Sequence, residues 1–357
     1  MSRVGAEIPA VPAFPGSICH VTRSPVPYFG GKSWLAPRLA AVFPPHRHYV
    51  EVCGGSLAVL LAKKPSRQET VNDLDNILMT FWRVLRDRPD ELERGCSLTP
   101  HSRAERALAQ EISSDLDELE IARRVFVALT QGRSGSLTRT GWRHDLRPVS
   151  TPMPVTLQRY AGRIGAAAKR IRGVSLECRP AVELVKSYGG DRGNLLYVDP
   201  PYIVDKGIRR GGEYRVEMRS EKVHRELLEA CLACDAAVVV SGYGSELYDS
   251  MLESWYRYEI PMTTSQGSGD GRRTEIVWSN RRLEGLEEGS KGGSISSIEG
   301  GQIDEMSARC PGCSAVLRQP KRGRRRVWCS ASCRTRGWAA RRGVEDGMVD
   351  EDAEVAG

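Results

Sequence analysis

No run of the 357 residues reaches the roughly 18 consecutive apolar positions that a membrane-spanning helix needs, so an integral helical membrane protein is not expected. The first 25 residues are rich in proline and lack the continuous apolar stretch of a secretory signal. Without that signal, the ten cysteines point to a reducing, cytoplasmic setting in which thiols are buried, catalytic or metal-bound. No internal repeat is present, which sets solenoids and propellers aside. A complete phosphate loop is missing too. The stretch Tyr28-Phe29-Gly30-Gly31-Lys32-Ser33 ends in the right way, but Val26 stands where that motif needs its first glycine. An NTPase is disfavoured, and the glycine pair with Lys32 is expected to close over a ligand carboxylate instead.

With 40% apolar and 27% charged residues, the chain has enough for a sizeable core. A net charge of +7 gives a mild attraction to polyanions, and the basic excess is unevenly spread. Residues 1–24 have no periodicity and read as a disordered leader. From about residue 25 to 282, short apolar runs (His48–Cys53, Leu195–Val198, Ala236–Ser241) alternate with amphipathic stretches, the pattern of βαβ units around a parallel sheet. The run Ala236–Val240 is continuous and β-branched, so it is expected to be buried on both faces. Before it, Val223, Leu227, Leu228, Cys231 and Cys234 share a helical face, with Ser220 placed to cap it. Residues 86–172 differ: a helical pattern leads into an Arg/Gly/Ser stretch over Gln131–Arg147, which reads as a helical insert with a basic loop. It divides the main region into 25–85 and 173–282. Tyr256–Pro261 and Thr274–Trp278 read as two strands joined by a loop.

After residue 282 the composition changes. A Gly/Ser/Glu stretch over 283–308 reads as a flexible linker, and 344–357 as an acidic tail. Between them, residues 309–343 carry Cys310, Cys313, Cys329 and Cys333, with ten basic residues and no acidic one over Cys310–Gly343. Two close cysteine pairs about fifteen residues apart match the ligand spacing of a structural tetrahedral Zn²⁺ site. So polar a segment offers four thiolates no core. The arginines around Trp328 and Trp338 suit phosphate contact and stacking; a protein-binding knuckle with a basic surface is the alternative.

Three stretches carry chemistry. Asp199-Pro200-Pro201-Tyr202 follows an apolar run, and the two prolines must end that strand. A carboxylate, a proline carbonyl and an aromatic ring thus meet at the carboxyl end of a strand, where open α/β sheets bind ligands. An exocyclic amine could donate to Asp199 and to the Pro200 carbonyl while its heterocycle stacks on Tyr202. A structural Pro-Pro turn with a surface tyrosine is the competing explanation. In Glu51-Val52-Cys53-Gly54-Gly55-Ser56, a strand enters paired glycines ahead of a helix beginning at Leu57, so a ligand could approach the backbone closely. Asp73, at the expected end of the next strand, stands where an acid commonly holds ribose hydroxyls. By contrast, the deaminase-like set His224, Glu226, Cys231 and Cys234 lies within one predicted helix and fits core packing better than zinc.

Taken in order, Gly30-Gly31-Lys32, Glu51–Gly55, Asp73, the helical insert and Asp199–Tyr202 resemble the Dam-like class of N6-adenine DNA methyltransferases over about residues 27–280. Gly212–Arg215, Ser241–Tyr243 and Thr274–Trp278 also resemble phage and bacterial members. The resemblance implies a Rossmann-like S-adenosylmethionine-dependent methyltransferase sheet with a helical target-recognition insert, to which a small four-cysteine zinc module is appended. It implies cofactor contacts at Lys32, Glu51, Gly54 and Asp73, with Tyr28, Gly31, Cys53, Gly55 and Asp199 beside them. Asp199, Pro200, Pro201 and Tyr202 would hold the target adenine of double-stranded DNA, extruded from the stack. Arg139 aligns with a basic position that members use on DNA, and Arg133 and Arg143 flank it as expected DNA contacts. Two departures touch the cofactor end: Cys53 replaces an aromatic ring and Val52 a proline. Leu129–Gly135 matches the family's corresponding stretch only loosely. A monomer on DNA, with or without a restriction partner, is the expected assembly. N4-cytosine methylation, which needs the same acceptors, and a catalytically silent DNA-binding protein working through the zinc module are the alternatives.

Overall fold

The computed structural model describes residues 22–113, 115–144, 151–203, 212–263 and 272–288. Residues 1–21 of the leader, the acidic tail and the four cysteines from Cys310 to Cys333 lie outside the described residues, as does most of the loop expected after Pro261. Among the described residues, no helix is long and apolar enough to cross a membrane.

Helix α1 (Ala36–Val42) precedes β1 (His48–Glu51), α2 (Ala58–Ala62) and β2 (Gln68–Asn72). Among the described residues, six α-helices then precede the next strand: α3 (Asn76–Asp87), α4 (Pro89–Leu98), α5 (Arg103–Leu108), α6 (Glu118–Gln131), α7 (Met153–Ala161) and α8 (Ile164–Ile171). After them come β3 (Ser175–Glu177), α9 (Ala181–Tyr188), β4 (Asn194–Val198), α10 (Glu221–Leu232) and β5 (Ala237–Gly242). The described chain continues through α11 (Glu246–Met251), β6 (Tyr256–Thr263) and β7 (Arg272–Ser279).

The strands form one mixed sheet in the order β3-β2-β1-β4-β5-β7-β6. The first five are parallel, while β7 runs antiparallel to both β5 and β6. The order 3-2-1-4-5 is that of a doubly wound nucleotide-binding sheet, whose switch point lies between β1 and β4. The expected parallel sheet is therefore closed on one side by an antiparallel hairpin. Pro261 is tolerated there because β6 is an edge strand.

Side chains alternate across the sheet. Tyr49, Leu195, Tyr197, Ala237 and Val239 face one core, and Val50, Leu196, Val198, Val238 and Val240 face the other. β5 is buried along its whole length, as its continuous β-branched run demands. The second core is covered by α9, α10 and α11 through Leu184, Leu227, Cys231 and Tyr248. The first is covered by the long β2–β3 crossover. Phe81, Trp82, Val125, Phe126, Leu129, Ile164 and Ile171 join Tyr49, Val71 and Tyr197 in a single cluster. The insert's helices thus share the sheet's own core, and the boundary expected at residue 86 falls inside α3.

Three local expectations need correction. Ser220 takes the position before α10, but its side chain makes no capping bond. Cys234 and Val223 leave the expected stripe: Cys234 lies beyond the helix end and Val223 is exposed. Leu57 does not begin α2; it sits before it in a left-handed conformation with φ 50°. His224 behaves as the core reading requires, fully buried and bonded to the Tyr248 hydroxyl and the Met218 carbonyl.

Candidate active site at the carboxyl ends of β1, β2 and β4

Register brings the chemistry together. Glu51 pairs with Val71 of β2 and with Tyr197 of β4, so Asp73 and Asp199, each two residues further on, rise beside Cys53. They border a cavity of some 1040 Å³, open mouth included. Tyr28, Gly31, Lys32, Glu51, Cys53, Gly54, Gly55, Asp73, Asp199 and Pro201 all line it. A site at the switch point of a doubly wound sheet is where ligands are expected.

The glycine turn is tightly built. A Cβ on Gly54 would sit 3.1 Å from the Asn72 carbonyl oxygen and 2.7 Å from the Leu57 side chain. Gly55 has φ +50°, and a Cβ there would meet the Tyr28 ring at 2.9 Å. Asp73 holds this turn: one carboxylate oxygen accepts from the Gly55 amide and the other from the Asp75 amide, both at 2.9 Å. Burial raises its pKa to about 6, against the pull of those two amides. Trp82, from α3, donates to the Gly55 carbonyl at 3.0 Å. Asn72 donates to the carbonyls of Val52 and Arg179 and accepts from the Arg179 amide, tying β1, β2 and the entry to α9 together.

Glu51 is buried at the cavity wall. Its Oε2 accepts from the Tyr49 hydroxyl at 2.8 Å and from the Leu60 amide at 2.9 Å. That second bond caps α2, whose own leading residue, Leu57, has no side-chain acceptor. Burial pushes the Glu51 carboxyl up to about 8, so the neutral acid predominates at neutral pH.

Lys32, which lines the cavity, is also bonded to protein groups. Its ammonium donates to Asp199 Oδ1 at 2.8 Å, to the Tyr202 hydroxyl and to the Gly30 carbonyl at 3.0 Å. Glu275 on β7 lies 3.4 Å away. Burial works against the lysine charge, but Asp199 and Glu275 outweigh it and raise the pKa. Committed to these partners, the ammonium organises the Asp-Pro-Pro-Tyr end of β4. Asp199 Oδ1 also accepts from Ser241 at 3.0 Å, and the Tyr202 hydroxyl oxygen lies 3.3 Å from it. Tyr202 donates to Glu275 and meets Tyr243 edge-on, with ring centroids 4.5 Å apart. Burial, then the charges of Asp199 and Glu275, hold its hydroxyl well above the usual range. Pro200 is buried, while Pro201 faces the cavity.

A segment from beyond β4, the strap, lines part of the cavity. Tyr214 packs edge-on against Phe29 at 5.4 Å and near Tyr28 at 6.1 Å, and Val216 and Met218 complete the wall. Arg215 forks onto the Asp75 carboxylate at 2.9–3.0 Å, and Asp75 also caps α3. The segments containing Ser241 and Glu275 were legible as strands and that of Arg215 only as a family-like stretch; no spacing rule assigns those residues a place here.

Arg133, Arg139 and Arg143 are all exposed on one hairpin-like loop, closed by a bridge between Gly132 and Trp142. The loop docks beside the cavity, where the Phe29 amide donates to the Gly135 carbonyl at 2.8 Å. At its base Trp142 stacks with His101 and with His144, and the Arg103 guanidinium lies 4.4 Å from its ring centre.

No curated protein matches the chain. Among solved structures, it is similar to the N-methyltransferase NodS from Bradyrhizobium japonicum WM9 at 10% identity and TM-score 0.30, over 70% of this chain and 95% of that one. A SAM-dependent methyltransferase from Agrobacterium tumefaciens matches at 10% identity and TM-score 0.29, over 70% of this chain and 60% of that one. The rRNA methyltransferase aviRa from Streptomyces viridochromogenes matches at 14% identity and TM-score 0.28, over 77% and 88%. The fold rests on the sheet order itself. Residues 28–111, which hold the glycine turns, Lys32, Glu51 and Asp73, match the model of the D12 class N6 adenine-specific DNA methyltransferase family.

Proposed function

We propose that the chain transfers a methyl group from S-adenosylmethionine to N6 of an adenine flipped out of duplex DNA. The observation that carries this reading is the meeting of Asp199 and Pro201 with Glu51, Gly54 and Asp73 around one cavity, although the two sets are far apart in sequence. The match over residues 28–111 supports the adenine assignment.

The lining also suits the cofactor. Asp73, Asp75 and Asp199 border the cavity, and the nearby cations Lys32 and Arg215 are already paired with carboxylates. A phosphate would be repelled here, whereas a sulfonium would be welcomed. Tyr28 and Val182 offer apolar walls for an adenosine, and the Gly54-Gly55 turn allows close backbone approach. When bound, S-adenosylmethionine supplies a methyl whose bond to sulfur breaks, its electron pair staying on sulfur, as the bond to N6 forms.

Asp199 would accept a hydrogen from the target amine and take the proton that N6 gives up once methylated. Tyr202 would stack on the base, offsetting the few kcal/mol that extrusion costs. Holding the amine in line with the methyl group is the main contribution. Arg133, Arg139 and Arg143 would contact DNA phosphates beside the cavity. Cys310, Cys313, Cys329 and Cys333 would bind structural zinc and add sequence-independent DNA affinity.

The test is to incubate purified protein with adenine-unmethylated genomic DNA and S-adenosylmethionine, then sequence the modified bases. N6-methyladenine at a defined sequence, lost in Asp199→Ala, is the expected result. N4-methylcytosine, or cofactor-dependent methylation of RNA or protein alone, would overturn the assignment.

A further inference from the structure

Behind Tyr202 stands a buried carboxylate that the proposed chemistry does not use. Glu275, on β7, has a side chain only 2% exposed. It accepts a hydrogen bond from the Tyr202 hydroxyl and lies 3.4 Å from the Lys32 ammonium. Lys32 already has a nearer carboxylate in Asp199, at 2.8 Å. One ammonium therefore faces two carboxylates, and the second is not needed to neutralise it. Burying an extra carboxylate is costly. Burial accordingly raises the Glu275 pKa, with Lys32 pulling the other way. A group kept at that cost has a task besides pairing with Lys32.

Tyr202 provides the task. Two prolines precede it, and its ring is gripped from outside its own segment. Glu275 and Lys32 hold the hydroxyl, and Tyr243 meets the ring at 64°. Pinning the hydroxyl at the far end of the ring fixes where the ring lies, so the plane offered to a stacked base is set before the base arrives. Resting on the function proposed above, we infer that Glu275 is a positioning residue: it fixes the Tyr202 ring through its hydroxyl and thereby sets how the base amine meets Asp199. What the place needs is an acceptor oxygen, because Lys32 keeps Asp199 as its partner without Glu275. Preorganising a group of this kind is what lets a bound base sit close to its reactive geometry.

The test uses the full chain, with kcat and KM measured on adenine-unmethylated DNA and S-adenosylhomocysteine affinity measured by calorimetry. Glu275→Ala is expected to lower kcat about 10- to 100-fold, the loss of one buried acceptor bond, with S-adenosylhomocysteine affinity held within about twofold. Glu275→Gln keeps an acceptor oxygen and should recover kcat to within about threefold of wild type. Tyr202→Phe should cost as much as Glu275→Ala, and the two together no more than Tyr202→Phe alone. Should Glu275→Ala fail to fold, Glu275→Asp withdraws the acceptor by one methylene and should show the same loss. Additive losses in the double variant, equal losses in Gln and Ala, or full activity in Ala would overturn the inference. These outcomes need an active wild type. A wild type that methylates no DNA adenine removes the functional reading instead.

Discussion

Lys32 Nζ lies 2.8 Å from Asp199 Oδ1 across 167 positions of sequence. The contact joins the glycine-rich turn ahead of α1 to the Pro-Pro stop after β4, and Glu275 adds a second carboxylate on the same ammonium. Lys32→Met would leave two carboxylates facing each other without their cation. A loss of about 3–5 kcal/mol is expected, as for breaking a buried pair from one side. Urea denaturation of the purified variant checks it; a stability within about 0.5 kcal/mol of wild type would contradict the described pairing.

Glu51 makes stability depend on pH in a definite direction. Its carboxyl has an ordinary value of 4.5 and is raised to about 8 in the folded chain. Between those values the unfolded chain releases a proton that the folded chain keeps, so stability falls as pH rises through that window and levels off above it. Glu51→Gln keeps an acceptor oxygen but has no such proton. Its stability in urea should therefore gain on wild type from about pH 5 to pH 8, by at most roughly 1.4 kcal/mol for each pH unit crossed. Parallel stability curves across that range would refute the buried neutral acid.

The Arg215–Asp75 fork ties down the strap whose Tyr214, Val216 and Met218 line the cavity. Arg215→Ala should speed cofactor dissociation several-fold in stopped-flow displacement. The guanidinium side chain is 46% exposed, so the stability loss is discounted for solvent screening to about 1 kcal/mol. An unchanged off-rate would separate the strap from ligand exchange.

Removing charge from the hairpin should act on DNA affinity and not on the chemistry. Arg133→Ala, Arg139→Ala and Arg143→Ala should each lower the salt dependence of DNA binding, by about 0.9 in log K against log salt for every phosphate no longer neutralised. Binding isotherms at several salt concentrations measure this. Unchanged slopes would mean that the exposed arginines face solvent in the complex as well.

For the C-terminal cysteines the expected outcome is about one zinc per chain by elemental analysis, lost in Cys329→Ser, with weaker DNA binding after chelation. Metal-free full-length protein with unchanged DNA affinity would remove both the metal and its role.

How much could be read in advance differs along the chain. The strand cores were visible because runs such as Ala237–Val240 have no polar face to confuse the period, and β5 is indeed buried throughout. Asp199 was visible because two prolines mark where its strand must stop, and Asp73 because it stands at the expected end of the strand that follows the glycine turn. Glu275 was not: within Thr274–Trp278 it reads as one polar position of a strand, and only the antiparallel placement of β7 beside β5 brings it behind Tyr202. The insert's helices had the right period, but periodicity names a buried face without naming its partner. They proved to share the sheet's core.

Local chemistry alone determined the α/β alternation, the strand ends and the short motifs that belong there, since backbone sterics and apolar periodicity act over a few residues. Only the tertiary structure decided that Lys32 serves Asp199, that Glu51 caps α2, and that Asp73 braces a glycine turn. Charged side chains taken out of water must find partners wherever the fold supplies them, and a linear spacing does not encode which strand end will be nearest.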